Sequence, residues 1–321
     1  MDGLAEMTLR GFRGHDDLAG MADVINARVA EEGEGEHSTV ASLAEIYDHL
    51  QRCDPADDIR VAVGPDGAMA GYVRVLWDDV SEGTRDFVIV FEALGTVDGL
   101  GRQLLAWGIE RATAVAVAHD HPARQIVAFA NDGGRHQALV EDTGGFEAFG
   151  WSAFMVRPHL DDVPDRNLPD GLEIRPVEPE HLRRIWEADV EAFRDHRGFV
   201  EQNETDWERF LAESAAGTDL WQVAWDGVTV VGQVRTYENE GEGERLGRRR
   251  AWTENISTRR EWRAKGVATA LIAASLRQVA ELGYDEAALG VDLDNPTGAL
   301  GVYRRLGYEV VLRQTQYRRP L

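Results

Sequence analysis

Only one cysteine, Cys53, and one lysine, Lys265, occur among the 321 residues. A single thiol excludes an intrachain disulfide and points to a reducing compartment. Its setting, Gln-Arg-Cys-Asp-Pro, reads as a helix end before a loop rather than as a nucleophile's site. No apolar run approaches the roughly 18 residues that a membrane span needs, so no membrane partner is expected. The first residues, MDGLAEMTLRGFRG, show no basic segment followed by an apolar core. No signal peptide is therefore expected, and the expected location is the cytoplasm. Basic charge is also scarce: 34 Lys and Arg stand against 57 Asp and Glu, for a net charge of −23. That balance argues against nucleic acid, whose phosphates call for clustered Lys and Arg. No metal-ligand spacing is present.

What is present is a plan used twice. Leu9-Arg10 opens a short strand before the helical pattern HDDLAGMADVINARV, and Ile174-Arg175-Pro176 does the same before PEHLRRIWEADVEAF. A second helix follows in each half, with capping boxes read at Ser42–Glu45 and Thr205–Glu208, where a hydroxyl and a carboxylate satisfy free N–H groups at a helix start. The segments VAVGPDGAMAGYVRV (61–75) and VAWDGVTVVGQVRTY (223–237) share Val-Ala, Asp-Gly and Gly-x-Val-Arg. Asp-Gly between alternating apolar residues signals a hairpin. Each half reads as strand, two helices, a strand meander, helix, strand, helix and two final strands. The expected fold is α/β, a mixed sheet flanked by helices, in duplicate. The boundaries are set at 1–160 and 171–321, with a Pro- and Asp-containing linker at 161–170.

In the second half, Trp252 to Thr258 alternates like a strand, Arg259 to Lys265 is polar, and helical periodicity begins at Val267 after Gly266. Such a turn at a helix N-terminus makes an anion site, because the first N–H groups are unpaired and the helix dipole adds positive charge. Gly266 permits close backbone approach, and small Ala268 keeps the clearance. The pattern Arg263-x-x-Gly266-x-Ala268 resembles the Gln/Arg-x-x-Gly-x-Gly/Ala signature of the GNAT acyltransferases, and the resemblance extends over 171–321. It implies that this turn holds the pyrophosphate of acetyl-CoA largely through main-chain N–H groups. The implied cofactor contacts are Ile256, Ser257, Thr258, Arg263, Ala264, Lys265, Gly266, Val267, Ala268 and Thr269. Arg259, Arg260 and Lys265 are the accompanying charges.

A second block, EAALGVDLDNPTGALGVYRRLGYEVV (286–311), reads as strand, polar turn, helix, Gly307 and strand. Pro296 suits the first helical turn. The block is similar to a second GNAT motif, which implies a cofactor contact at Asn295 and a general acid at Tyr303. The chemistry suits a phenol. Amine attack on a thioester expels a thiolate whose conjugate acid has a pKa of about 8.5, and a tyrosine hydroxyl can hydrogen-bond to or protonate it. The amine itself must first lose a proton. Glu254, on the strand before the phosphate turn and sharing its face with Trp252 and Ile256, is the candidate base. Asp195, His196, Trp207 and Tyr237 are candidates for the acceptor wall, where acidic and aromatic side chains suit a cationic amine.

The first half departs from this chemistry. Thr96-Val-Asp-Gly99-Leu-Gly101 stands where the second half has Arg263-Ala-Lys-Gly266-Val-Ala268, and Glu141 stands where it has Tyr303. A carboxylate at Asp98 would repel a pyrophosphate. The expected protein is therefore a tandem GNAT chain with a degenerate domain over 1–160 and a catalytic domain over 171–321. The expected reaction is acetyl transfer from acetyl-CoA to a small-molecule primary amine, by direct attack in a ternary complex, in a monomer or homodimer. A non-catalytic acyl-CoA-binding module and a transferase of longer acyl groups are the alternatives.

Overall fold

The computed structural model describes residues 4–321 apart from 34, 36, 81–82, 197, 216, 240 and 295–297. The chain divides into two compact units, Met1–Ser152 with Leu312–Leu321, and Ala153–Val311. The first elements are β1 (Thr8–Gly11), α1 (Leu18–Glu32), α2 (Val40–Asp48), α3 (Pro55–Asp58), β2 (Ile59–Val63) and β3 (Met69–Asp79). They continue with β4 (Arg85–Ala93), α4 (Leu100–Val117), β5 (Arg124–Asn131), α5 (Arg135–Thr143) and β6 (Glu147–Arg157). The second series is β7 (Glu173–Ile174), α6 (Leu182–Phe193), α7 (Glu204–Ala215), β8 (Gln222–Asp226), β9 (Thr229–Tyr237), α8 (Glu242–Leu246) and β10 (Arg250–Thr258). It ends with α9 (Val267–Glu281), β11 (Glu286–Asp292), α10 (Ala299–Arg305) and β12 (Glu309–Pro320). Among the described residues, no helix is long and apolar enough to cross a membrane.

In unit 1 the strand order is β1-β2-β3-β4-β5-β12, and in unit 2 the end of β6 is followed by β11-β10-β9-β8-β7. The meanders are antiparallel, while β4–β5 and β10–β11 are parallel. These are mixed sheets with helices on their faces. The tail of the chain serves the first unit: Gln314 to Pro320 pair antiparallel with Asn131 to Gln125. Compactness thus assigns Leu312–Leu321 to the N-terminal fold, although its sequence repeats the end of the first half. One long strand closes each series where two were expected, because neither 147–157 nor 309–320 contains a turn.

The helix starts also differ from the sequence reading. Thr39 and Ser42, not Ser42 and Glu45, form the capping box of α2. Asn203 caps α7 through Oδ1, which accepts from the Thr205 N–H at 2.8 Å, while Asp206 Oδ2 accepts from the Asn203 N–H at 2.8 Å. In both cases an earlier polar side chain reached the free amides first. The Asp-Gly hairpins form as the pattern predicts, with Gly67 and Gly227 left-handed.

Candidate active site

Helix α9 is set by its apolar stripe. Leu271, Ile272, Leu276 and Val279 are fully buried against β9, β10 and β11 residues, each contributing about 1.5–3 kcal/mol over exposure. This packing fixes the helix start beside the end of β10. Gly266 caps it at φ 88°, and no side chain caps the first N–H groups. Ala264 is left-handed as well, at φ 58°, so two left-handed residues flank Lys265. Alternating backbone hands at a helix start turn successive N–H groups to one side, a concavity suited to an anion.

Strand β10 contributes an opening. Its parallel ladder with β11 covers only Arg250↔Glu286, Ala251↔Ala287 and Trp252↔Ala288. On the β9 side the register shifts between Glu254 and Ser257, and Asn255 takes φ 47°. That bulge bends the strand, so β10 and β11 part into a wedge. The expected sharing of one face by Trp252, Glu254 and Ile256 is interrupted there: Trp252 is buried against Phe154, whereas Glu254 and Ile256 line the opening. Glu254 Oε1 accepts the Gly290 N–H of β11 at 2.7 Å. A carboxylate here takes the place of the missing ladder bond.

A cavity of about 920 Å³ fills this wedge. Of the sequence-predicted residues, Glu254, Ile256, Ser257, Thr258, Arg263, Ala264, Gly266, Val267, Ala268, Thr269, Tyr303, Asp195 and His196 line it. Val267 is 1% exposed and packs into the core, so only its backbone is placed to meet a ligand. Lys265 lies over the Trp262 ring at 4.8 Å. Asn295, Pro296 and Thr297 fall outside the described residues.

Several of the sequence-predicted residues make contacts that the sequence did not indicate. Arg263 organises the turn: Nη1 donates to Asp195 Oδ2 at 2.6 Å, Nη2 to the Ala192 carbonyl at 2.8 Å and Nε to the Thr258 carbonyl at 3.1 Å. Asp195 also pairs with Arg260, and the two guanidiniums hold its carboxyl below the usual range. Asp195 therefore braces the turn through Arg260 and Arg263 while also lining the cavity. Arg259 pairs with Glu191 at 3.2 Å. Trp207 lies outside the cavity, packed between Trp186 and Phe210. Tyr237 is outside it too, stacked on Trp252 with ring centroids 6.5 Å apart. His196 contacts the Phe193 ring, and burial lowers its pKa, with Asp292 opposing.

Tyr303, on α10, is 7% exposed and meets the Tyr308 ring edge-on. Burial first, and then the charge of Glu254, push its hydroxyl well above the usual tyrosine range. It is consequently protonated at neutral pH, the form that can donate a hydrogen bond. Asn255, Trp262, Gly290 and Arg305 also line the cavity and went unread in the sequence. Gly290 had a signal, since a glycine inside a strand marks close approach of a ligand or backbone.

Residues 181–308 match the Acetyltransferase (GNAT) family. No curated protein matches the chain by sequence. Among solved structures, a GCN5-related N-acetyltransferase from Sphaerobacter thermophilus has a TM-score of 0.72 at 22% identity, covering 98% of this chain and 96% of that one. A tandem GNAT protein from the clavulanic acid biosynthesis pathway has a TM-score of 0.67 at 16% identity and 98% coverage of both chains. The N-myristoyltransferase of Saccharomyces cerevisiae, solved with myristoyl-CoA, has a TM-score of 0.63 at 10% identity, covering 99% of this chain and 79% of that one. The fold and the matched segment together define an acyltransferase. Residues 181–308 are thus similar to the GNAT acetyltransferase family, within a chain whose fold is similar to that of a tandem GNAT protein.

Proposed function

We propose that the protein transfers an acetyl group from acetyl-CoA to the primary amine of a small molecule, and that unit 2 carries the chemistry. The observation that supports this most is the convergence of an anion cradle, a parted strand pair, a carboxylate and a buried tyrosine on one cavity. The main-chain N–H groups of Val267, Ala268 and Thr269 would hold the pyrophosphate, while the unpaired β10 edge beyond Trp252 would receive the pantetheine arm. The cofactor supplies the activated thioester.

Glu254 takes the proton that the amine must lose. A C–N bond then forms at the thioester carbonyl as the C–S bond breaks, and the departing sulfur meets the Tyr303 hydroxyl. The two residues are electrostatically linked, since the Glu254 charge helps to keep Tyr303 protonated. When Glu254 accepts the amine proton that charge disappears, and Tyr303 becomes a stronger donor as thiolate develops. The proposed setting is the cytoplasm, as a monomer or homodimer. Release of free thiol from acetyl-CoA, measured with a panel of primary amines, tests this reading. Amine-dependent release supports it; tight acetyl-CoA binding with no turnover on any amine would favour a non-catalytic module.

A further inference from the structure

Beyond the wedge lies a second pocket of about 270 Å³ in unit 2, which shares Phe193 and Asn255 with the first. Trp186, Phe199 and Phe210 give it aromatic walls, and the ionic side chains between them are engaged with one another. Arg235 meets Asp189 at 2.9 Å and Glu213 at 3.3 Å. Arg209 meets Asp206 at 3.0 Å and Glu213 at 3.9 Å, and Asp206 Oδ2 also accepts the Asn203 N–H at 2.8 Å. Burial pushes the Asp189 carboxyl up, towards its neutral form, with Arg235 opposing. A charged group on a ligand would have to draw one of these ions from its partner. That is costly where both members are buried, as Asp189 and Arg235 are.

The pocket has neutral hydrogen-bonding capacity to spare. Asn255, at the bulge of β10, lines both pockets, and among the described residues nothing bonds to its side chain. Gln202 uses its Nε2, which donates to the Val200 carbonyl at 3.2 Å, and leaves its Oε1 open. Arg209, with five N–H groups in its guanidinium, has donors beyond those its two carboxylates take.

The geometry points to an acceptor whose amine is carried on a neutral, hydroxylated body, an amino polyol or amino sugar. Its nitrogen would lie beside Glu254 in the wedge, and its hydroxyls in the second pocket against Asn255, Gln202 and Arg209. A hydroxyl both donates and accepts, so it matches carboxamide and guanidinium alike without separating an ion pair. The C–H faces of such a body suit the negative faces of the aromatic walls. This inference rests on the proposed amine acetylation.

The test compares D-glucamine, n-hexylamine and 1,6-diaminohexane, primary alkylamines of equal carbon count whose bodies are hydroxylated, apolar and cationic. Each is titrated calorimetrically into the full chain saturated with CoA and assayed for steady-state thiol release with acetyl-CoA. D-glucamine is expected to bind at least about tenfold more tightly than the other two, as one or two added hydrogen bonds would give, with the same order in kcat/KM. Asn255→Gly, which keeps a residue at ease in the left-handed region, and Gln202→Leu should each cut that preference to about threefold or less, through KM. Retained CoA binding shows that the variants are folded. Equal binding of the three amines, tighter binding of n-hexylamine or 1,6-diaminohexane, or a full preference kept in both variants overturns the inference. If no amine is turned over, the titrations alone decide it. Failure of the wild-type chain to bind CoA would count against the proposed function instead, which keeps the two failures distinct.

Discussion

In unit 2, β10 and β11 part after Trp252 and Ala288 and a cavity occupies the gap. In unit 1, β4 and β5 part in the same way after Ile89 and Ala128, but their ends are joined by side chains. Arg28 donates to Glu92 at 2.8 Å and to Glu32 at 2.6 Å, and Asn131 donates to Glu32 at 2.6 Å. Arg135 donates to the Ala93 carbonyl at 3.0 Å and pairs with Glu31 at 3.0 Å. It crosses Gly95 so closely that a Cβ there would lie 1.8 Å from Nη1. At the position matching Tyr303, Glu141 accepts from the Tyr317 hydroxyl at 2.6 Å. A wedge can thus be retained for its fold and filled from within. The difference between the halves is larger than the altered turn at Thr96–Gly101, since charged groups now satisfy one another where a ligand would enter.

This contrast can be broken by substitution. Tyr303→Phe is expected to lower kcat by about 100-fold or more, while acetyl-CoA binding by calorimetry changes little. Wild-type turnover at every pH would remove the donor role. Glu254→Gln should lower kcat by about 10- to 100-fold, with the loss shrinking at high pH, where more of the amine is already neutral. A pH-independent loss would assign Glu254 to holding β11 through Gly290 only. Lys265→Asp places the Asp98 carboxylate of unit 1 into the unit 2 turn, and should weaken acetyl-CoA by about tenfold, or about 1.4 kcal/mol. An unchanged dissociation constant would show that the backbone alone sets affinity.

The smallest effect belongs to unit 1. Burial first, then the charges of Arg28 and Arg135, lower the His136 pKa to about 3. The unfolded imidazole binds a proton below its ordinary pKa of about 6.5, and the folded one does not until about 3. Stability is therefore lost as pH falls through that window, by about 0.7 kcal/mol between pH 7 and pH 6. Urea unfolding of wild type and His136→Gln checks this, and the variant should lack that part of the slope. An equal slope in both would place the proton uptake elsewhere.

Much of the scaffold was legible because it obeys local rules. The Asp-Gly hairpins, the strand before the turn, Gly266 and the stripe of α9 each follow from periodicity or backbone hand. Tyr303 and Glu254 came from the resemblance to the GNAT motifs, and both line the cavity. Contacts between distant segments could not be read this way. Nothing local shows that Asp195 would bind Arg260 and Arg263, that Trp207 would be absorbed by Trp186 and Phe210, or that Asn255 would open the strand. The single long strands that close each series were likewise not read, since two shorter strands were expected there.

Calorimetric stoichiometry of acetyl-CoA on the full chain tests the contrast most directly. Ala268→Glu supplies the control: an acidic residue suits a helix N-terminus, so the fold should survive, while its carboxylate would occupy the anion cradle. One acetyl-CoA per wild-type chain is expected, and none for the folded variant. Two molecules per chain, or one that persists in Ala268→Glu, would contradict it.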